Sequence, residues 1–273
     1  AKEAGFTNVD GIVFDLGFSS TQIETPGRGF SFQNDGPLDM RYDQSQGTTA
    51  AEIIAVTPQK QLADILFDYG DERRSRKIAR AIVSQRDKRP ITSTMELARI
   101  VARAHGGRRN RIHPATRTFQ ALRIYVNSEI EELRQGLVAA ERLLAPQGRL
   151  AVVSFHSLED REVKQFLIER SGGQPRGSRH RPSISDGRPT TFQLARRTAI
   201  KPSAVEIAAN PRARSARLRV AKRTGVSITR VGECVPQKHG VALVDSRGAR
   251  VPLEALGHDH FKVEPANYRA SDA

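Results

Sequence analysis

The amino-acid sequence predicts an open α/β sheet with an all-helical block inserted between two of its strands. Three observations carry this prediction. A nearly continuous apolar run occupies residues 9–16, a second occupies 149–155, and between them apolar residues recur at helical spacing. Runs that are apolar on both faces are how buried parallel strands read, whereas spacings of three and four mark amphipathic helices.

The first run, Val9 to Leu16, carries an acid at Asp15 and is followed by Gly17. A loop rich in Ser, Thr, Gly and Pro then extends from Gly17 to about Gly47. Leu62, Ile65 and Leu66 mark one helix, and Ile78, Ile82 and Val83 an arginine-rich second. Ser93 with Glu96 three residues on has the signature of a capping box, opening a helix through Leu97, Ile100 and Val101. Pro114 stands near the start of another. Ile130, Leu133, Leu137 and Leu144 share the face of a further helix, which Pro146-Gln147-Gly148 ends.

After the strand at 149–155, Ser157 reads as the N-cap of a helix turning Val163, Phe166 and Leu167 inward. Residues 171–190 read as a basic loop. Strands are expected at 190–195 and 215–221, with a short helix at 203–209 between them. Past residue 224 the composition changes. A hairpin is expected there, pairing Val241–Asp245 with Ala249–Leu253 around Ser246-Arg247-Gly248.

Composition narrows the function classes. The 273 residues carry a formal charge of +14, and a surface that basic seeks polyanions, usually nucleic acid. Residues 172–223 hold 13 Lys/Arg against two acids, Asp186 and Glu206. No apolar run approaches the ~20 residues that cross a bilayer, so a membrane partner is not expected. The chain opens on a polar stretch without a leader pattern, and the lone Cys234 has no internal disulfide partner. A cytoplasmic, nucleic-acid-facing protein is the expectation.

Asp15 is the first candidate for chemistry, because open α/β sheets bind ligands beyond the carboxyl ends of their strands. It could equally cap the turn that follows. Ser19, Ser20 and Gln22 bring small polar groups to the same edge. Arg28 and Phe30, followed by Asp35–Arg41, interleave aromatic, glycine and charge. Phe30 beside Arg28 could stack a splayed base, or the segment could be a packed loop that buries its own rings. Arg73, Arg74, Arg76 and Lys77 follow Asp71 and Glu72 at a helix start; the order suits the helix dipole, and the density suits phosphates. Arg117 lies behind His113, which reads as structural.

His156 and Ser157 end the second strand. They are adjacent and lack a nucleophile elbow, which excludes a serine hydrolase there. His258-Asp259-His260 lacks a third ligand at suitable spacing, so no metal is expected.

Several blocks together resemble the RsmH/MraW methyltransferases. They are Asp10–Ser20, Arg28–Phe32, Asp35–Arg41, Tyr69–Ile82, His113–Ile124, Ser154–Lys164 and Asn210–Ser215, in the same order, across residues 8–223. The resemblance implies a partial class I, Rossmann-like sheet with an all-helical insertion. It implies methyl transfer from S-adenosylmethionine to the N4 of a cytidine in the decoding region of 16S rRNA, with the small ribosomal subunit as partner. Asp15 and Gln22 match the family's cofactor contacts. Phe18 stands where the family usually has valine. Which group takes the amine proton stays open among Asp15, Ser19 and Ser20.

On the same resemblance, residues 1–22 and 113–223 are the carboxyl-terminal part of the methyltransferase domain. Residues 23–112 are the substrate-recognising insertion, and 224–273 an unassigned tail. The family's glycine-rich cofactor loop has no counterpart, because the sequence starts just before the fourth strand. Strand 9–16 is therefore expected at a sheet edge, with weak cofactor binding, no turnover and self-association through that edge. The alternative is a non-catalytic rRNA-binding fragment.

Overall fold

The computed structural model describes residues 5–6, 8–106, 113–172, 190–224, 242–244 and 250–252. Close contacts divide the chain into Ala1–Ile200 with Ser215–Val226, and Lys201–Arg214 with Ser227–Ala273. The first unit holds a four-stranded sheet of β1 (Val9–Asp15), β2 (Leu144–Ser154), β3 (Phe192–Leu194) and β4 (Arg217–Arg223), in the order β1-β2-β4-β3. β1 and β2 run parallel; β4 is antiparallel to β2 and to β3.

The parallel pair explains why the polypeptide between those strands is long, since parallel neighbours need a crossover. Here the crossover is the helical block itself. It contains α1 (Ser20–Glu24), α2 (Ala50–Val56), α3 (Gln59–Gly70), α4 (Ser75–Arg86), α5 (Thr94–His105), α6 (Thr116–Val126) and α7 (Glu129–Leu143). α8 (Ser157–Arg170) follows β2.

One core belongs to the helices. Leu62 and Leu66 of α3, Ile78 and Ile82 of α4, Leu97 and Val101 of α5 and Leu122 of α6 meet there, joined by Leu38 and Met40 from the loop. All are at most 1% exposed. Burying such a side chain contributes ~1.5–3 kcal/mol, which offsets part of the entropy lost in ordering the loop that carries Leu38 and Met40. Gly29 lets that loop close. Its φ is +72°, and a Cβ there would lie 2.3 Å from the Pro37 carbonyl oxygen. The second core lies between the sheet and α7 with α8, where Leu150 and Val152 meet Leu133, Leu137, Val163, Phe166 and Leu167.

Register decides which face of β1 joins that core. Ile12 and Phe14 stand opposite Leu150 and Val152 and pack inward. Val13 and Asp15 stand opposite Ala151 and Val153 on the other face, and Val13 is 71% exposed. β1 pairs with β2 alone among the described residues, so it is an edge strand.

The α/β class and the inserted helices are as the sequence predicts, with local corrections. Leu144 opens β2 rather than closing α7, and pairs with Val9. His156, not Ser157, caps α8, its Nδ1 accepting from the Glu159 N–H. Two helices went unread, α1 and α2, although Ser19 with Gln22 and Thr49 with Glu52 form reciprocal capping boxes. At α5 only half the box forms: Ser93 accepts from the Glu96 N–H, while the Glu96 carboxylate pairs with Arg89 at 2.8 Å.

The second unit holds α9 (Ala204–Ala209) and a two-stranded ladder of β5 (Ala242–Val244) with β6 (Arg250–Pro252). The pairing is the expected antiparallel one; the turn between them lies outside the described residues, as do Cys234 and His258-Asp259-His260.

Candidate functional site at the carboxyl ends of β1 and β2

β1 ends at Asp15, and the Leu16 N–H still bonds the Val153 carbonyl at 3.0 Å, so both strands finish at one level. Gly17, at φ +106°, turns the chain away. Ser19 caps α1: its N–H donates to Gln22 Oε1 at 3.0 Å, and its Oγ accepts from the Gln22 N–H at 3.4 Å. Ser19 and Gln22 are thus tied to each other, a role the reading of them as ligand contacts did not include. Among the described residues the Gln22 amide nitrogen donates to no other group.

At the end of β2, the Glu159 carboxylate accepts from the Phe155 N–H at 2.9 Å and the His156 N–H at 3.3 Å. His156 Nε2 lies 3.0 Å from Glu159 Oε1, outside hydrogen-bond geometry. Burial alone would raise the Glu159 carboxyl. His156 and the backbone donors outweigh it and hold the group below its ordinary value. Asp160 behaves alike: burial raises it, but Arg219 and Arg217, at 2.7 and 2.8 Å, hold it down.

A third group arrives from the helical block. Arg123 of α6 is 8% exposed and grips both oxygens of Glu129 at 2.7 and 2.8 Å. The Tyr42 hydroxyl donates to Glu129 at 2.9 Å, and burial pushes that phenol far above its ordinary range, so it stays a donor. Tyr42 is positioned by Asn127, which accepts its N–H at 2.7 Å and donates to the Met40 carbonyl at 2.7 Å. Sequence reasoning missed Tyr42, Arg123, Glu129 and Glu159. The first three lie far from Asp15 in the chain, and only the fold brings them to this edge.

Of these groups Tyr42, Asn127, Glu129 and Glu159 border a cavity of about 320 Å³, lined also by Phe14, Leu16 and Gly17, among others. Its walls are apolar at the strand and rich in acceptors at the rim, a composition suited to an amine-bearing planar group. Glu129, His156 and Glu159 offer ligand atoms within 4.8 Å of one another. Arg123 neutralises Glu129 within this cluster.

The other sequence candidates divide. Phe30 is 8% exposed in the helical core, so it packs rather than offering a face to a base. Arg28 donates to the carbonyls of Arg41 and Tyr42 at 3.0 and 2.7 Å. Arg74 donates to the His105 carbonyl, and Arg117 to the Asp71 carbonyl at 3.1 Å. His113 accepts the Ala115 N–H and packs its ring on Phe32. Arg73, Arg76 and Lys77 are exposed and make no ion pair among the described residues. With exposed Arg80 they form a cationic stripe, Arg76, Lys77 and Arg80 on α4 and Arg73 in the turn just before it. No helix among the described residues is long and apolar enough to cross a membrane.

Comparison with known proteins identifies relatives of this chain. A protein from Caulobacter sp. (strain K31), called ribosomal RNA small subunit methyltransferase H, is 55% identical over 218 residues, covering 80% of this chain and 67% of its own. The protein of that name from Rhodospirillum centenum is 57% identical over 229 residues, 84% of this chain and 69% of its own. That from Hyphomonas neptunium is 54% identical over 225 residues, 82% and 66%. The chain thus spans about two thirds of the length of these relatives. Residues 1–224 match the model of the MraW methylase family, and with that match and those identities the chain belongs to this Rossmann-like methyltransferase family.

Proposed function

We propose that this chain supplies the acceptor-lined edge of an rRNA methyltransferase, which transfers a methyl group from S-adenosylmethionine to the N4 of a cytidine in small-subunit rRNA. The observation that carries the reading is the meeting of Glu129 and Glu159 around a cavity of base size beside the carboxyl end of β1, the strand that Asp15 closes. The small-subunit names of the relatives supply the substrate class.

The cofactor brings an electrophilic methyl group on sulfonium. Asp15 and Gln22 would hold it, the first by its carboxylate beyond the strand end, the second by its remaining amide donors. The cytosine amine is a weak nucleophile because its lone pair is delocalised into the ring. Acceptors that orient its N–H groups aim that lone pair, and positioning of this kind supplies most of the acceleration. As the N–CH3 bond forms and the S–CH3 bond breaks, one N4 proton leaves to an acceptor among Asp15, Ser19 and Ser20.

Residues 1–22 and 113–223 serve this chemistry, residues 23–112 recognise RNA, and 224–273 are an unassigned tail. The cationic stripe on α4 tracks phosphates, so affinity for small subunits falls steeply with salt. Arg73, Arg76 and Lys77 all changed to Glu should weaken binding and flatten the salt dependence; unchanged affinity through a salt titration removes α4 from the RNA surface. Radiolabelled transfer to small subunits, with nucleoside mass spectrometry for N4-methylcytidine, tests the reaction. A second reading, RNA holding without turnover, draws on the outer edge of β1, which pairs with no strand among the described residues. On that reading S-adenosylmethionine binds weakly in calorimetry, no methyl group is transferred, and the edge drives self-association.

A further inference from the structure

Five side chains from four stretches of the chain close a ring beside β1. The Arg123 guanidinium lies 4.3 Å from the centre of the Phe18 ring. Phe18 stacks on Phe30, and Phe30 on Tyr42, each at 5.6 Å between ring centres. The Tyr42 hydroxyl bonds Glu129, and Glu129 returns to Arg123 through two hydrogen bonds. Four of the five belong to the helical block or the start of α7. Phe18 is the exception, because it lies in the turn between Asp15 and the α1 cap at Ser19.

We propose that Arg123 is a positioning residue. It fixes the backbone of residues 16–22 through Phe18, and so sets the aim of Asp15 and the Ser19–Gln22 cap, without itself touching a substrate. The inference rests on the methyltransferase reading for its functional meaning. Its geometry is independent of that reading. The bidentate bond to Glu129 holds the guanidinium plane in one orientation, and a planar cation is what an aromatic face binds best. At the turn itself Gly17 adopts a left-handed φ and the Leu16 N–H makes the last ladder bond to β2, so Phe18 is the ring that ties residues 16–19 to the helical block. A lysine at 123 would keep the charge but lose both the fork and the flat face.

The test compares Arg123→Lys, Phe18→Leu and the double variant with the wild type. Phe18→Leu leaves the Arg123–Glu129 pair intact, so it is informative even where loss of the buried arginine prevents folding. Hydrogen exchange should accelerate ~10-fold or more at residues 16–22 in each single variant, with β2 and α7 unchanged and no further gain in the double. In methyl transfer, kcat should fall ~10-fold while KM for cofactor and subunit stays within ~2-fold. Unchanged exchange at 16–22, or equal acceleration through α6 and α7, overturns the proposal. A wild type that transfers no methyl group fails the methyltransferase reading instead, and exchange still decides this one.

Discussion

In the helical block Leu62, Leu66, Ile78, Ile82, Leu97 and Leu122 are all fully buried, whereas Val13 of β1 is 71% exposed. The helices close their core on one another. The sheet sets α7 and α8 against one face only, while the other face of β1 is bare among the described residues. A helix advertises its buried stripe locally, in a period set by its own geometry. A strand advertises only that it is apolar; which neighbours cover it depends on chain elsewhere.

The largest effects should therefore fall in the helical block. Leu66 is fully enclosed, so Leu66→Ala should cost ~2–5 kcal/mol, the range for a buried leucine whose cavity cannot collapse. Denaturant melts would measure it. A loss under ~1 kcal/mol would mean that this core is looser than its burial implies.

An intermediate effect should come from the layer between β4 and α8. Asp160 accepts from Arg217 and Arg219, and charge-assisted bonds of this kind contribute ~1.5–3 kcal/mol. Asp160→Asn should lose roughly that much at pH 7. Because the folded carboxyl lies below its ordinary value, its contribution is complete above ~3.9, the unfolded pKa. It disappears as pH falls through the lower folded value. The gap between wild type and variant should thus narrow on acidification from pH 4 towards pH 2. A gap that stayed constant would show that Asp160 acts by shape rather than charge.

Legibility in the sequence follows the same division. The α3, α4 and α5 stripes are visible because three or four apolar residues recur within each helix. The α1 and α2 helices are too short for such a stripe, and only their capping boxes betray them. Leu144 continues the α7 stripe in sequence, yet it pairs with Val9 across the sheet, a partner no local pattern names. At the site, Asp15 was legible because a carboxylate at a strand end is a local signal. Arg123, Glu129 and Tyr42 were not, because Tyr42 meets Glu129 across 87 residues of chain and only the fold makes them a group. Phe30 was read in two ways, and packing against Phe18 and Tyr42 favours the buried one.

The smallest expected effect tests the comparison most directly. Val13 lies between Ile12 and Phe14, and the run reads as buried on both faces, yet its side chain stands out from β1 on the face away from α7 and α8. If that face is open to water in solution, Val13→Ser removes almost no buried area. The loss should stay within ~0.5 kcal/mol, the scatter of surface substitutions. It should also raise solubility, because an apolar side chain on an unpaired edge is replaced by one that water solvates. A cost near 2 kcal/mol, approaching that at Leu66, would instead mean that something packs on β1 in solution. Dilution then separates the cases: a cover made by a second copy would make the stability of Val13 concentration-dependent, and a cover made by this chain's own residues would not.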